Sequence, residues 1–283
     1  MSEKVAVIGA SGFVGQNICF ELSNKGFEVV GVNRKSADIS EKSSLRQLVE
    51  MLRGVDLIVF AAAKAPARNV SDLVLNDFMF ANFLKVVEQI KPKFILNISS
   101  DAVFGDQTDA LKEDSIRAPE SIHGIMHLSR EILLSQLDID CAILRPTLIY
   151  GPNDPHNGYG PNKFIRQALS GQKIELFGRG EEVRDHVYIG DVARLAERIL
   201  TERFVGSLNA VSGQPISFKD VAEIVLDKVG SASLSSIDFI NRVGPMPHNG
   251  YRVFDTSKLK HIFPDFVPNQ FETVLSHDLA LWN

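Results

Sequence analysis

The sequence predicts an α/β protein, a doubly wound parallel sheet with a smaller C-terminal α/β lobe. Three observations carry that prediction. Unbroken apolar runs alternate with amphipathic stretches through the first half of the chain. A glycine cluster, Gly9 to Gly15, sits directly between the first run and the first amphipathic stretch. Past Arg145-Pro146 the texture turns rich in glycine and proline.

In chain order, Val5 to Ile8, Val29 to Val32, Leu57 to Ala61, Phe94 to Ser99 and Cys141 to Arg145 read as strands. Their continuous apolar character suits strands covered on both faces. Phe13 to Lys25, Leu45 to Arg53, Leu73 to Ile90 and Ile122 to Gln136 read as the intervening helices. Tyr150 to Pro161 should be irregular loop, and a domain boundary is expected near it. We therefore expect a dinucleotide-binding domain over 1-150, completed by about 186-205. A substrate-binding lobe is expected over 151-185 and 206-283, with a helix at Phe218 to Val229.

At 283 residues and 45% hydrophobic composition, the chain holds enough apolar material for one substantial core with an appended lobe. Thirty-five acidic against 30 basic residues leave a formal charge of -5, with no basic face for a phosphate backbone, so nucleic-acid binding is not expected. Cys19 and Cys141 lie in apolar runs, as buried free thiols of a reducing compartment would. Met1-Ser2-Glu3-Lys4 leads into an apolar run that ends at Gly9, too short for a signal peptide or membrane span; a cytoplasmic protein with no membrane association is expected.

Gly9-Ala10-Ser11-Gly12-Phe13-Val14-Gly15 follows a strand and opens a helix, the context a dinucleotide pyrophosphate requires. Glycines allow the tight turn and the close approach, and the helix N-terminus offers amide donors and a positive dipole end. A Rossmann-type fold follows. At the end of the second strand, where an acid usually holds the adenosine ribose, the sequence reads Asn33-Arg34-Lys35. Two cations and no acid suit a 2′-phosphate, so NADP is expected as cofactor, with NAD as the alternative. Two solvated charges at a strand end would look the same.

The chain resembles, over nearly its whole length, an extended short-chain dehydrogenase/reductase of the sugar-nucleotide epimerase, dehydratase and reductase group. Besides the glycine loop, Phe60-Ala61-Ala62-Ala63 resembles the segment lining the cofactor, and Ala61 to Lys64 is similar to GDP-fucose synthases. Ser99-Ser100-Asp101-Ala102-Val103-Phe104-Gly105 resembles the strand-end motif whose catalytic hydroxyl would be Ser100. Leu144 to Pro152, including Pro146, resembles the nicotinamide-side segment. Arg184 in Arg184-Asp185-His186-Val187-Tyr188, and Arg252 before Asp255-Thr256-Ser257-Lys258, resemble the paired arginines that meet a nucleotide-sugar pyrophosphate. The resemblance implies a nucleotide-sugar substrate near Lys64, Asp101, Arg184 and Arg252. It also implies a homodimer through the helices Leu73 to Ile90 and Ile122 to Gln136.

One departure stands out. Where that group carries Tyr-x-x-x-Lys, this chain reads His123-Gly124-Ile125-Met126-His127, with glycine, leucine and glutamate of the motif in register at Gly124, Leu128 and Glu131. Imidazole titrates near neutrality, so His123 suits proton transfer to or from a sugar hydroxyl, and His127 can hydrogen-bond the cofactor ribose but supplies no permanent charge. Asp101 stands where 4,6-dehydratases place an acid, but their following glutamate is Ala102 here, which disfavours dehydration. Epimerase or 4-keto reductase chemistry remains. The alternatives are another residue as acid-base, a His123/His127 metal pair lacking a third ligand fixed by spacing, and a catalytically degenerate cofactor-binding regulatory or scaffold protein. No metal is expected.

Overall fold

The computed structural model describes residues 3–230 and 235–282. Met1 and Ser2 of the expected leading segment, and Ser231 to Leu234 and Asn283 of the expected second lobe, lie outside the described residues. Two compact units are built from interleaved stretches: Met1–Gly105, Glu113–Pro146 and Val192–Ala210 form the first, and Asp106–Lys112, Thr147–Asp191 and Val211–Asn283 the second. No helix among the described residues is long and apolar enough to cross a membrane.

In the first unit the chain runs Lys4–Ile8 (β1), Phe13–Asn24 (α1), Glu28–Val32 (β2), Leu45–Met51 (α2), Leu57–Phe60 (β3), Val70–Ile90 (α3), Phe94–Ile98 (β4), Ile122–Leu134 (α4) and Asp140–Pro146 (β5). These strands, with Gly206–Ala210 beside β5, make one six-stranded sheet in which every neighbouring pair is parallel. β1 lies between β2 and β3, so the winding reverses there. In such sheets ligands enter at the carboxyl ends of the strands flanking that reversal. All of β3 and β4 is buried, which is why both read as unbroken apolar runs apart from Asn97. Phe60, Phe80 and Phe83 pack with ring centroids 4.6 to 5.7 Å apart and tie α3 to the sheet.

Element ends differ from expectation in ways local chemistry explains. α3 begins at Val70, ahead of its first core-facing residue, because the Asn69 side chain accepts from the Asp72 amide and caps the helix. α2 stops at Met51 and is preceded by a 3-10 turn, Lys42–Ser44. Cys19 and Cys141 are free thiols, pushed up to about 11 by burial.

The chain divides at other places than the expected 1-150, 186-205 and 206-283. Asp106–Lys112 groups with the second unit, because Leu111 exchanges backbone hydrogen bonds with Val253 and Asp255 (2.9 Å each). Leu148–Tyr150 groups there too, since it pairs with His186–Tyr188. The return to the first unit is Val192–Ala210, whose last strand pairs with β5. None of these pairings leaves a compositional mark.

Among the described residues the second unit has three small sheets. Ile174–Phe177 pairs with Ile237–Ile240, Leu148–Tyr150 with His186–Tyr188, and Val183–Arg184 with Ile216–Ser217 and Tyr251–Arg252. Its core gathers Phe164, Leu176, Phe218 and Val225 among others, using Pro161–Leu169 and the expected helix Phe218–Val229.

Candidate active site

The glycine loop closes on the end of β3. Gly9 and Ala10 both donate to Val32 O (2.9 and 3.0 Å), and Gly12 donates to Gly9 O (3.0 Å). Gly9 has φ +95°, and a Cβ there would meet Ala62 N at 2.7 Å and Ala61 C at 2.8 Å. A Cβ on Gly15 would meet Gly9 O at 2.1 Å. Both positions therefore need glycine for backbone approach. Ser11 and Gly12 are exposed, while Phe13 and Val14 open α1 half-buried.

α1 carries no side-chain cap and no acid in its first turn. α3 and α4, by contrast, are capped by Asn69 and Ser121. The α1 terminus thus combines an uncapped amide cradle with glycines that let a phosphate approach, and these residues fit a dinucleotide.

At the end of β2 the Asn33 side chain accepts from the Lys35 and Ser36 amides (2.9 and 3.2 Å), so it closes its own turn. Arg34 and Lys35 are exposed beside it.

The segment after β3 is held from beneath. Arg130 donates to Ala62 O (3.1 Å) and to Asn76 Oδ1 (2.9 Å). Asn76 also accepts from Lys64 N and donates to Lys64 O. Lys64 Nζ lies 2.7 Å from buried Asp72, whose carboxyl is held below its usual range first by that hydrogen bond. Ala61 donates to Ile8 O (2.9 Å). Ala63 follows with no strand or helix of its own, and Pro146 is the last residue of β5.

At the end of β4, Ser100 Oγ accepts from Ala102 N (3.1 Å), capping a 3-10 turn Asp101–Val103, and donates weakly to Asp101 (3.4 Å). α4 rests against this turn through Gly124, where a Cβ would meet Ala102 O at 2.1 Å and Pro119 Cβ at 2.7 Å. His123, one residue earlier, therefore lies at the Ser100 turn. The Ala67 amide makes a long contact to its Nδ1, 3.5 Å. His123 and His127 stack edge to face, 4.6 Å between centroids. His127 is buried with no partner for Nδ1, and its titration is held well below the imidazole range by burial, then by His123 and Arg130. It is neutral at working pH.

α4 is fixed by a buried pair that sequence reading missed. Glu131 accepts Arg145 Nε and NH2 (2.9 and 2.7 Å) and Ser99 Oγ (2.6 Å). Arg145 also donates to Glu113 O (2.9 Å). This bidentate fork joins α4, β4 and β5 beneath Ser100.

In the second unit, Arg184 and Arg252 face each other in register on adjacent strands. Arg184 Nε donates to Glu182 (2.8 Å), which also accepts from Arg242 (3.0 Å), a guanidinium the sequence reading did not single out. Arg252 donates to Asp106 (3.3 Å), which is also paired with His248. Each candidate pyrophosphate arginine thus already has a carboxylate partner. Among the described residues no group of three or more His, Cys, Asp or Glu side chains could hold a metal ion.

A profile of the NAD dependent epimerase/dehydratase family matches residues 5–210. The chain is 24% identical to an uncharacterized UDP-glucose epimerase, YtcB, of Bacillus subtilis (strain 168), covering 98% of this chain and 97% of that protein. It is 23% identical to a dTDP-4-dehydro-6-deoxy-D-allose reductase of Streptomyces bikiniensis, over 98% and 95% of the two chains. Among solved structures it is similar in fold to a UDP-glucose 4-epimerase of Thermus thermophilus in complex with NAD, with TM-score 0.83, 23% identity and coverage of 99% and 98%.

Proposed function

Because the chain belongs to the NAD dependent epimerase/dehydratase family, we propose that it is an enzyme that moves a hydride between a nicotinamide cofactor and a sugar carbon of a nucleotide sugar. The reaction is of the 4-keto reductase or epimerase type, with His123 as proton shuttle. The relatives named as a UDP-glucose epimerase and a dTDP-keto-sugar reductase support both the substrate class and the pair of reactions. The observation that carries the reading is Gly124 seated on the Ala102 carbonyl. That contact keeps residue 123 beside the Ser100 turn although its side chain has changed.

Gly9, Gly12, Gly15 and the α1 terminus would hold the pyrophosphate, and Ala61 to Ala63, Pro146 and His127 would line the nicotinamide half. When bound, the nicotinamide supplies reversible hydride transfer. His123 handles the proton. As neutral imidazole it takes up the hydroxyl proton in oxidation, and as imidazolium it returns that proton in reduction. Ser100 Oγ orients the same hydroxyl. Arg184 and Arg252 would take the substrate pyrophosphate, and Lys64 and Asp101 the sugar side.

Exposed Arg34 and Lys35, with no acid before them, support NADP over NAD, although the similar Thermus thermophilus enzyme is described with NAD. Exposed apolar residues on α3 and α4, among them Val70, Val74, Ile125 and Ile132, support a homodimer through these helices.

The test is reduction of UDP- and dTDP-4-keto sugars with NADPH and NADH, read by nicotinamide absorbance, together with epimerisation of UDP- and dTDP-hexoses, which leaves the nicotinamide unchanged overall and is read by chromatography of the sugar products. His123→Ala should slow the chemical step about a hundredfold with nucleotide affinity kept. Full turnover in that variant moves the shuttle elsewhere, and cofactor binding without turnover on any nucleotide sugar favours a binding protein.

A further inference from the structure

Arg130 is 1% exposed, yet among the described residues it has no ion pair. Its hydrogen bonds go to two neutral acceptors, Ala62 O and Asn76 Oδ1, and its Nε has no partner. The guanidinium lies 5.1 and 5.6 Å from the Phe60 and Phe80 ring centroids. Burying a cation with only neutral partners is strongly unfavourable, and an apolar side chain of similar volume would pack against those rings without that penalty. A strut for the Ala62 carbonyl would need a donor, but not a permanent charge.

The place of the charge suggests its use. Ala62 has Arg130 on its carbonyl and Gly9 against its amide, so contact runs from α4 through one residue to the glycine loop. Asn76 carries the other arm of the guanidinium to both backbone groups of Lys64. One helical turn before Arg130, His127 offers an unpartnered Nδ1 and no charge.

We propose that Arg130 is a positioning residue for the dinucleotide: it fixes the Ala61–Lys64 wall of the loop and supplies, from beneath α4, the permanent positive charge that completes an anionic ligand's site. This rests on the nucleotide-binding reading above. The missing counter-charge of Arg130 is then the cofactor itself. The other titratable and charged groups around this point are His123 on the same helix, Asp77 on α3, Asp101 on the adjoining turn, the Lys64–Asp72 pair reached through Asn76, and the Glu131–Arg145 pair. Asp77 acts on Arg130 only at a distance, and burial draws the guanidinium down to about 10.

The experiment compares Arg130→Lys, Arg130→Gln and Arg130→Met by fluorescence titration with NADPH and NADH, and follows the His127 ring by NMR titration. Gln keeps a donor for Ala62 and loses the charge; Lys keeps the charge. Gln and Met should weaken both nucleotides roughly tenfold or more, with Lys restoring affinity to within about threefold. The His127 midpoint should rise in Gln and Met and stay low in Lys. Wild-type affinity in Arg130→Gln, or an unmoved His127 midpoint, would overturn the proposal even if Met fails to fold. A wild-type protein that binds neither nucleotide overturns the nucleotide reading instead, and with it the role of Arg130 toward a ligand.

Discussion

Gly124→Ala tests whether the geometry of α4 governs the site. The added Cβ would lie 2.1 Å from Ala102 O and 2.7 Å from Pro119 Cβ, roughly 1 Å inside ordinary contact. Neither neighbour is the end of a flexible side chain, so α4 or the Asp101–Val103 turn must move. α4 is pinned on its other side by the Glu131–Arg145 fork, which directs the movement to the seat at residue 124. Overpacking of this kind costs about 1 to 3 kcal/mol of stability. A displacement of ~1 Å between Ser100 and His123 lowers turnover on the order of a hundredfold. Urea unfolding measures the first effect and nucleotide-sugar turnover the second, while NADPH titration should show a smaller loss, since the glycine loop is untouched. A variant within ~0.5 kcal/mol of wild type, with unchanged turnover, would show that α4 does not depend on this contact.

Gly15→Ala drives a Cβ to 2.1 Å from Gly9 O and should weaken NADPH at least about tenfold; unchanged affinity in a fluorescence titration would remove the loop from the cofactor site. Glu131→Ala strands Arg145, whose side chain is 3% exposed, and should destabilise by about 3 to 5 kcal/mol in urea, with Arg145→Met added to it recovering most of the loss. If the double variant is no better than the single one, the charge of Arg145 is not the cause. Burial, reinforced by Arg184, pulls His186 down to about 3. The unfolded chain therefore binds the extra proton first, so stability is intact above about pH 6.5 and falls roughly 1.4 kcal/mol per pH unit from there down to pH ~3. His186→Phe should flatten that slope, and equal slopes in acid denaturation would count against the assignment.

Much of the first unit is legible because its strands are buried on both faces and its turns are marked by glycine. Gly9, Gly12 and Gly15 mark the turn from β1 into α1, where the close approach of backbone at Gly9 and Gly15 leaves no room for a Cβ. The register of α4 is legible for a related reason: Gly124 and Glu131 are fixed by backbone contact and by a buried arginine, so they keep their spacing when residues 123 and 127 change. Other features leave no local trace. Arg130 looks in sequence like one more charge on an amphipathic helix, and only the fold brings it under Phe60 and Ala62. The Glu131–Arg145 fork joins a helix to a strand 14 residues on. Leu111 lies outside every strand and helix read from the sequence, and its pairing with the backbone at Val253 and Asp255 becomes visible only in three dimensions.

The histidine at 127 and the arginine at 130 are best understood as one exchange. His127 is buried one helical turn from a guanidinium that has no counter-ion among the described residues. A lysine at 127 would set a second cation beside the first in the same buried region. His127→Lys alone should therefore destabilise the protein, and adding Arg130→Met should relieve much of that loss. Neighbouring groups coupled through one field commonly show interaction energies of roughly 0.5 to 3 kcal/mol, and burial places this pair toward the upper half. Urea unfolding of the two single variants and the double variant, at a pH where lysine is charged, gives the coupling directly. Additive losses would mean that the two positions do not share a field, and that the neutrality of His127 comes from burial and His123 without Arg130.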